Sequence, residues 1–404
     1  MTERDRCFST LSRREVMILR SVFASLLLLF ALSLVSHPQS AGGDEGEAVF
    51  KENCSLCHSL DRPRSRHLLQ REWQHIIGRM MGFGCPISGS RKKQDAVLEY
   101  LAKTQRPLTR PVAKAYVVHE ESEDVWVIDV ATRKVLAKAK VGKLPHGIIA
   151  SPDGKALYVT NMGSDNITVI NTQTYATTTM GGTGRNPHEC AVSPDGHLLY
   201  VSNPSSNNVT VHDMRTHLPV ATIPVGRFPH GVTLTSDGRK LYVANMESSA
   251  ISVIETATNQ VVATIPTAPG PHRMALSPGG KFLYVVNTDA NRLSIIETER
   301  GREVKSVLTG KAPDDVAVNP GGAILWVADS ESRNVEAVDS RSGEPLATVL
   351  VERGPGGLAL TPDGKELWVA DVAANTVAIV DTAQRRVVTT LPVGNRPHLI
   401  LITP

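Results

Sequence analysis

From residue 115 to the C-terminus the chain alternates short apolar runs with turns rich in Gly, Pro, Asn and Asp. The runs "AYVVHE", "LYVTNM", "LYVSNP", "LYVANM", "LYVVNT", "LWVADS" and "LWVADV" carry their aromatic residue at Tyr116, Tyr158, Tyr200, Tyr242, Tyr284, Trp326 and Trp368, a constant step of 42. Pro145, Pro187, Pro229, Pro271, Pro313, Pro355 and Pro397 keep the same step. Each unit holds four runs of strand composition, as in "GIIAS", "ALYVTN", "ITVIN" and "TTTM", with "PDG" marking a tight turn after the first.

Four strands per unit at a period near 40 predict an all-β propeller, one blade per unit. Solenoids are the competing repeat class, but they carry atypical end repeats. Here the chain enters at a second strand, "AYVVH", and stops after a first strand, "PHLILIT" at 397–403. The C-terminal strand is therefore expected to complete the blade begun near Ala115 and to close a seven-bladed ring without free sheet edges. The phrases "YVTN", "VIN", "PHG" and "SPDG" resemble the YVTN family of propellers over residues 115–404.

The pattern is different before residue 115. Arg13, Arg14 and Arg20 precede the apolar run "SVFASLLLLFALSLVS" and the small-residue stretch "QSAGG". This reads as a signal peptide over 1–41, too short for a comfortable membrane span. "SRREVM" faintly resembles a twin-arginine signal, and a start at Met17 would leave an ordinary one. Export to the periplasm of a Gram-negative bacterium is expected, with membrane attachment only if the leader is retained. Residues 106–114, which include "RPLTRP", form a linker.

Between leader and linker lies "EGEAVFKENCSLCHS", an amphipathic helix ending in Cys54-x-x-Cys57-His58. Thiols at this spacing, followed by His, suit covalent haem attachment with His58 on the iron. A redox dithiol would want a βαβ context, and zinc a second ligand pair at metal spacing. Neither accompanies the motif. Downstream, "EWQHIIGRMMGFGCPIS" offers Met80, Met81 and His75 as the second axial ligand, and "KKQDAVLEYLAKT" reads as a closing helix. Residues 44–105 resemble the small all-α class I c-type cytochromes. Trp73 and the Arg79-Met80 pair, similar to cytochrome domains beside periplasmic dehydrogenases, favour Met80 and leave Met81 as the alternative. One haem c is expected.

Composition adds two restraints. The net charge of +3, with both signs interspersed and aromatics at 4%, does not suit a nucleic-acid binder. Apart from Cys7 in the leader and the haem pair, only Cys85 and Cys190 remain, and they are available to pair in an oxidising compartment.

In a blade numbered from the axis outward, the residue after each repeat proline sits by the innermost strand at the channel mouth. That position reads His146, His188, His230, His272, Asp314, Gly356 and His398. His119, Glu120, Met162, Met246, Asp329 and Asp371 are expected on the same face. Lys143, Arg185, Arg227, Lys311 and Arg353 form an arc there that suits a small anionic guest. A structural reading stands beside this one: repetition alone copies a turn-supporting His into each blade.

The cytochrome-then-propeller order resembles haem-d nitrite reductases and their relatives. The clustered His residues and the blade count are similar to the copper-cluster propellers of nitrous oxide reductase and thiocyanate dehydrogenase. These resemblances imply an oxidoreductase exchanging electrons between the mouth and haem c, with copper or a second haem-type group in the propeller and a cytochrome or quinol-linked redox partner. The alternative is a non-catalytic electron-transfer or binding propeller, since fold alone proves no catalysis.

Overall fold

The computed structural model describes residues 113–404. The leader, Cys54, Cys57, His58, His75, Met80, Met81 and Cys85 lie outside the described residues. Seven four-stranded antiparallel sheets follow, β1 to β28 in chain order. In blade 2 these are β4 (Pro145–Ala150), β5 (Ala156–Asn161), β6 (Asn166–Asn171) and β7 (Thr177–Met180), ordered from the axis outward. The other inner strands are β8 (Cys190–Val192), β12 (Pro229–Leu234), β16 (Pro271–Leu276), β20 (Pro313–Val318) and β24 (Pro355–Leu360).

Blade 1 is built from both ends of the propeller. Strand β28 (Pro397–Thr403) pairs antiparallel with β1 (Lys114–His119), with Lys114 opposite Thr403 and Ala115 opposite Ile402. Strands β2 (Asp124–Asp129) and β3 (Val135–Lys140) complete the sheet. The expected closure is what the structure contains.

The aromatic repeat position is the joint between blades. Tyr116 packs against Ile148, Leu157 and Val159 of blade 2, and Tyr242 against Leu283, Val285 and Ile296 of blade 5. Trp326 packs against Leu358 and Leu367, and Trp368 against Ala115, Val117 and Ile400, which brings the contact back to blade 1. Each of these aromatics is almost wholly buried. One large side chain per unit thus fills the wedge between twisted sheets, which is why the position recurs. Among the described residues no helix is long and apolar enough to cross a membrane.

Candidate functional site

The chain enters each inner strand through a turn of unusual backbone. The residue before every repeat proline has positive φ: Leu144 (47°), Asn186 (61°), Phe228 (52°), Gly270 (73°), Ala312 (51°), Gly354 (70°) and Arg396 (53°). For non-glycine residues this conformation costs about 1–3 kcal/mol, so the surroundings must hold it. A side-chain carbonyl or carboxylate does so. Asp165 accepts the Asn186 N–H at 2.7 Å, Asn207 that of Phe228 at 2.9 Å, Asn291 that of Ala312 at 2.8 Å and Asn375 that of Arg396 at 2.8 Å. Just past the proline, the ladder between inner and second strand slips its register, as between Pro145 and Ile148 or Pro271 and Met274. Proline has no N–H to give, and the slip frees the next two residues to face the axis.

The five predicted histidines meet there. His146 and His188 stack with centroids 4.3 Å apart, and His230 and His272 at 3.6 Å. His146 lies 4.2 Å from His398, and His188 lies 4.5 Å from His230 nearly edge-on. His146 and His230 are each 3% exposed, so the cluster is a packed assembly rather than an open ring. Burial, reinforced by neighbouring imidazoles and Arg273, pushes His146 and His230 well below the ordinary histidine pKa. Burial likewise lowers His188 and His398 to about 3. At neutral pH these rings are uncharged, each with a lone pair available to a metal or a proton donor.

A buried charge network that no single motif announced sits beside them. Arg273, 5% exposed, donates from Nε to Glu189 at 2.9 Å, from one terminal nitrogen to Asp314 at 3.3 Å, and from the other to His398 Nδ1 at 3.1 Å. Burial opposes its charge, but Glu189, Asp315 and Asp314 outweigh that and raise its pKa. Burial raises Asp315 to about 7, although its oxygens accept the Val316 and Leu358 N–H groups. The available signal was a break in the repeat. Two residues after the proline the chain reads Gly147, Glu189, Gly231, Arg273, Asp315, Gly357 and Leu399.

The other residues expected on this face lie at that end of the blades, but most take no part in the cluster. His119, Asp329 and Asp371 are fully buried at the top of the second strands, in the repeat position that is Asn161, Asn203, Asn245 and Asn287 elsewhere. There the Asn amide braces its own blade: Asn161 accepts the Gly142 N–H at 3.1 Å and donates to Thr168 at 2.9 Å. His119 pairs with Asp124 at 3.0 Å and stands edge-on to Trp126. His119 and Asp371, the latter accepting from the Thr376 hydroxyl, are bonded within their own blades, neither Asp329 oxygen has a hydrogen-bond partner, and none of the three joins the cluster. Glu120 does approach it, bonded to Arg396 at 3.1 Å and 3.9 Å from His398. Met162 and Met246 are half-buried and outside the cluster's contacts. Lys143, Arg185, Arg227, Lys311 and Arg353 are exposed but share the face with Glu121, Glu247, Glu331 and Glu352, so the rim carries both signs. Cys190 is buried in the joint between blades 2 and 3.

Asp329 provides a test of what a buried carboxyl costs at this repeat position. Burial, then the nearby Glu336, raises its pKa to about 8. The folded state thus holds a proton between about pH 4 and pH 8 that the unfolded chain has released. Stability should therefore fall as pH rises through that window, by about 1.4 kcal/mol per unit where one proton separates the states. Asp329→Asn restores the repeat amide and removes this residue's share of the slope, leaving that of Asp315, Asp371 and Glu336. Denaturant melts should show the variant ahead by a few kcal/mol at pH 8 and by much less at pH 5. A gap independent of pH would refute the assignment.

The propeller has solved counterparts. Hydrazine synthase from Kuenenia stuttgartiensis aligns at 25% identity and a TM-score of 0.58 over 63% of this chain and 88% of that one. The dihydro-haem d1 dehydrogenase NirN, solved in complex with DHE, aligns at 18% identity and 0.57 over 86% and 87%. A putative 6-phosphogluconolactonase from Bacteroides fragilis aligns at 19% and 0.64 over 74% and 100%. The latter two speak for the fold alone. No curated protein matches the chain. The family model described as the cytochrome D1 haem domain matches residues 113–402, the whole ring from before β1 into β28, and the chain belongs to that family.

Proposed function

We propose that this is an exported oxidoreductase in which the channel-mouth histidines form a redox site that exchanges electrons with a covalent haem c. Cys54 and Cys57 hold that haem, with His58 and Met80 on its iron and Met81 as the alternative to Met80. A small anion is the substrate class, and a periplasmic cytochrome or quinol-linked carrier takes the electrons onward. The observation that carries the reading is the convergence of five largely buried histidines on one end of the axis. An assembly of neutral imidazoles kept from water serves metal or proton chemistry better than it serves stability.

Membership in the family suggests a haem-type group in the propeller. The donors fit, since neutral imidazole ligates iron as well as copper. The packing does not fit a macrocycle among the rings, because stacking at 3.6 to 4.3 Å leaves no gap for a further planar group. The second reading is a binding propeller whose haem serves a separate partner.

The test has two parts. A Cys54→Ala, Cys57→Ala double variant should lose the haem band on denaturing electrophoresis, because each thiol forms its own thioether. A surviving band would end the haem c assignment. With haem c intact, small inorganic anions are then screened for redox exchange with it. His188→Ala, His230→Ala should abolish that exchange at unchanged haem spectrum, whereas undiminished exchange would favour the binding reading.

A further inference from the structure

The five histidines are not equivalent, and what each ring nitrogen already does separates them. His272 Nδ1 lies 2.8 Å from the backbone carbonyl of Asp314, so it donates its proton there. His398 Nδ1 faces an Arg273 N–H at 3.1 Å. A guanidinium only donates, so that nitrogen accepts and the His398 proton sits on Nε2, toward Glu120. The Nδ1 atoms of His146, His188 and His230 are buried with no hydrogen-bond partner. A buried polar atom left unpaired is costly, and although others occur singly in the blades, as at His212 and Trp326, these three belong to imidazoles in mutual contact and so call for a common cause.

The same three residues bring one ring nitrogen each to within 4.8 Å of the others. Bonds of about 2.0–2.1 Å to a tetrahedral ion would set such nitrogens about 3.4 Å apart, a closure on the order of 1 Å. A second grouping, Glu120 with His146 and His398, is equally compact. It is already committed: Glu120 is bonded to Arg396 and the His398 proton occupies the nitrogen that would ligate.

We infer that His146, His188 and His230 bind a bare late transition-metal ion, with copper the tightest of the first-row series, rather than a macrocycle. Three neutral imidazoles and no thiolate match copper or zinc, and copper leads by intrinsic affinity. His188 and His230 cross nearly edge-on, at 86°, so their nitrogens approach from different directions, as a compact coordination shell requires. The inference rests on the proposed role of the cluster, but metal content and electron exchange are read separately.

The test uses the full haem-loaded chain, stripped with a chelator, given one equivalent of copper(II) and passed through a desalting column. The wild type should retain about one copper per chain beyond its haem iron, with nitrogen hyperfine splitting in the copper EPR spectrum. His188→Ala and His230→Ala should each weaken retention at least tenfold. His197→Asn, an exposed histidine on the opposite face, should leave it unchanged. The EPR signature of the wild type stands even if a variant folds poorly. A wild type that retains no copper, or variants that retain as much, would overturn the inference, as would a copper spectrum without nitrogen coupling. Copper bound by these histidines in a protein that exchanges no electrons with its haem supports the inference and removes the oxidoreductase reading alone.

Discussion

Removing residues 397–404 should leave a chain that no longer folds to a stable monomer. Strand β28 is the innermost strand of blade 1, and its side chains serve the joints on both sides. Ile400 belongs to the cluster with Trp368 and Val377 of blade 7, and Leu399 to the cluster with Ile148 and Leu157 of blade 2. Both are at least nine-tenths buried, and Leu401 and Ile402 pack behind them. Burial of each full side chain contributes about 1.5–3 kcal/mol. Losing the group therefore removes more than about 5 kcal/mol, comparable to the whole stability of many domains. The deletion also bares the β1 edge along its length, an invitation to pair with another chain. Thermal melts and light scattering check this, with Ile400→Ala, worth about 2–5 kcal/mol, as the milder companion. A truncated protein with an unchanged Tm would mean that the ring does not depend on this strand.

What could be read from the sequence follows from repetition. A step of 42 held by seven aromatics and seven prolines defines blade number, strand order and closure, because a propeller can satisfy that period only one way. The same step placed five histidines at one end of the axis, where the structure gathers them. Repetition also misled. His119, Asp329 and Asp371 look like chemistry but occupy the position where Asn161 braces its blade, and burial does not separate the two roles, since the clustered histidines are buried as well. Arg273, Glu189 and Asp315 form a network that no local motif encodes, because the partners are far apart in the chain, with Arg273 and Glu189 84 residues apart. The positive φ at Leu144, Phe228 and Ala312 has no local signal either, since none of these residues favours it. Ring geometry imposes that turn from outside.

The position that hides the charge network also leads to the second large effect. Gly147, Gly231 and Gly357 each face the inner strand of the next blade, and a Cβ on any of them would fall under 3.0 Å from a backbone carbonyl oxygen, of His188, His272 and His398 respectively. Inner strands crowd at the axis, and these glycines let them come close enough for the histidines to touch. Gly231→Ala should therefore force the His272 backbone outward, since the Arg273 Cα also lies only 3.1 Å from the added carbon. Overpacking against backbone costs about 1–3 kcal/mol, and here the upper half of that range is expected because no flexible side chain can yield. The displacement should also disturb the His272 contact with Asp314 and the stacking on His230. Gly181→Ala is the matched control, with nothing within 4 Å of the new methyl and no left-handed backbone to strain. It should be neutral or stabilising by up to about 1 kcal/mol through the unfolded chain. Denaturant melts of the two variants decide the matter. Equal, small effects would mean that the axis has slack, and that the close contact of the histidine rings is not imposed by the packing of the inner strands.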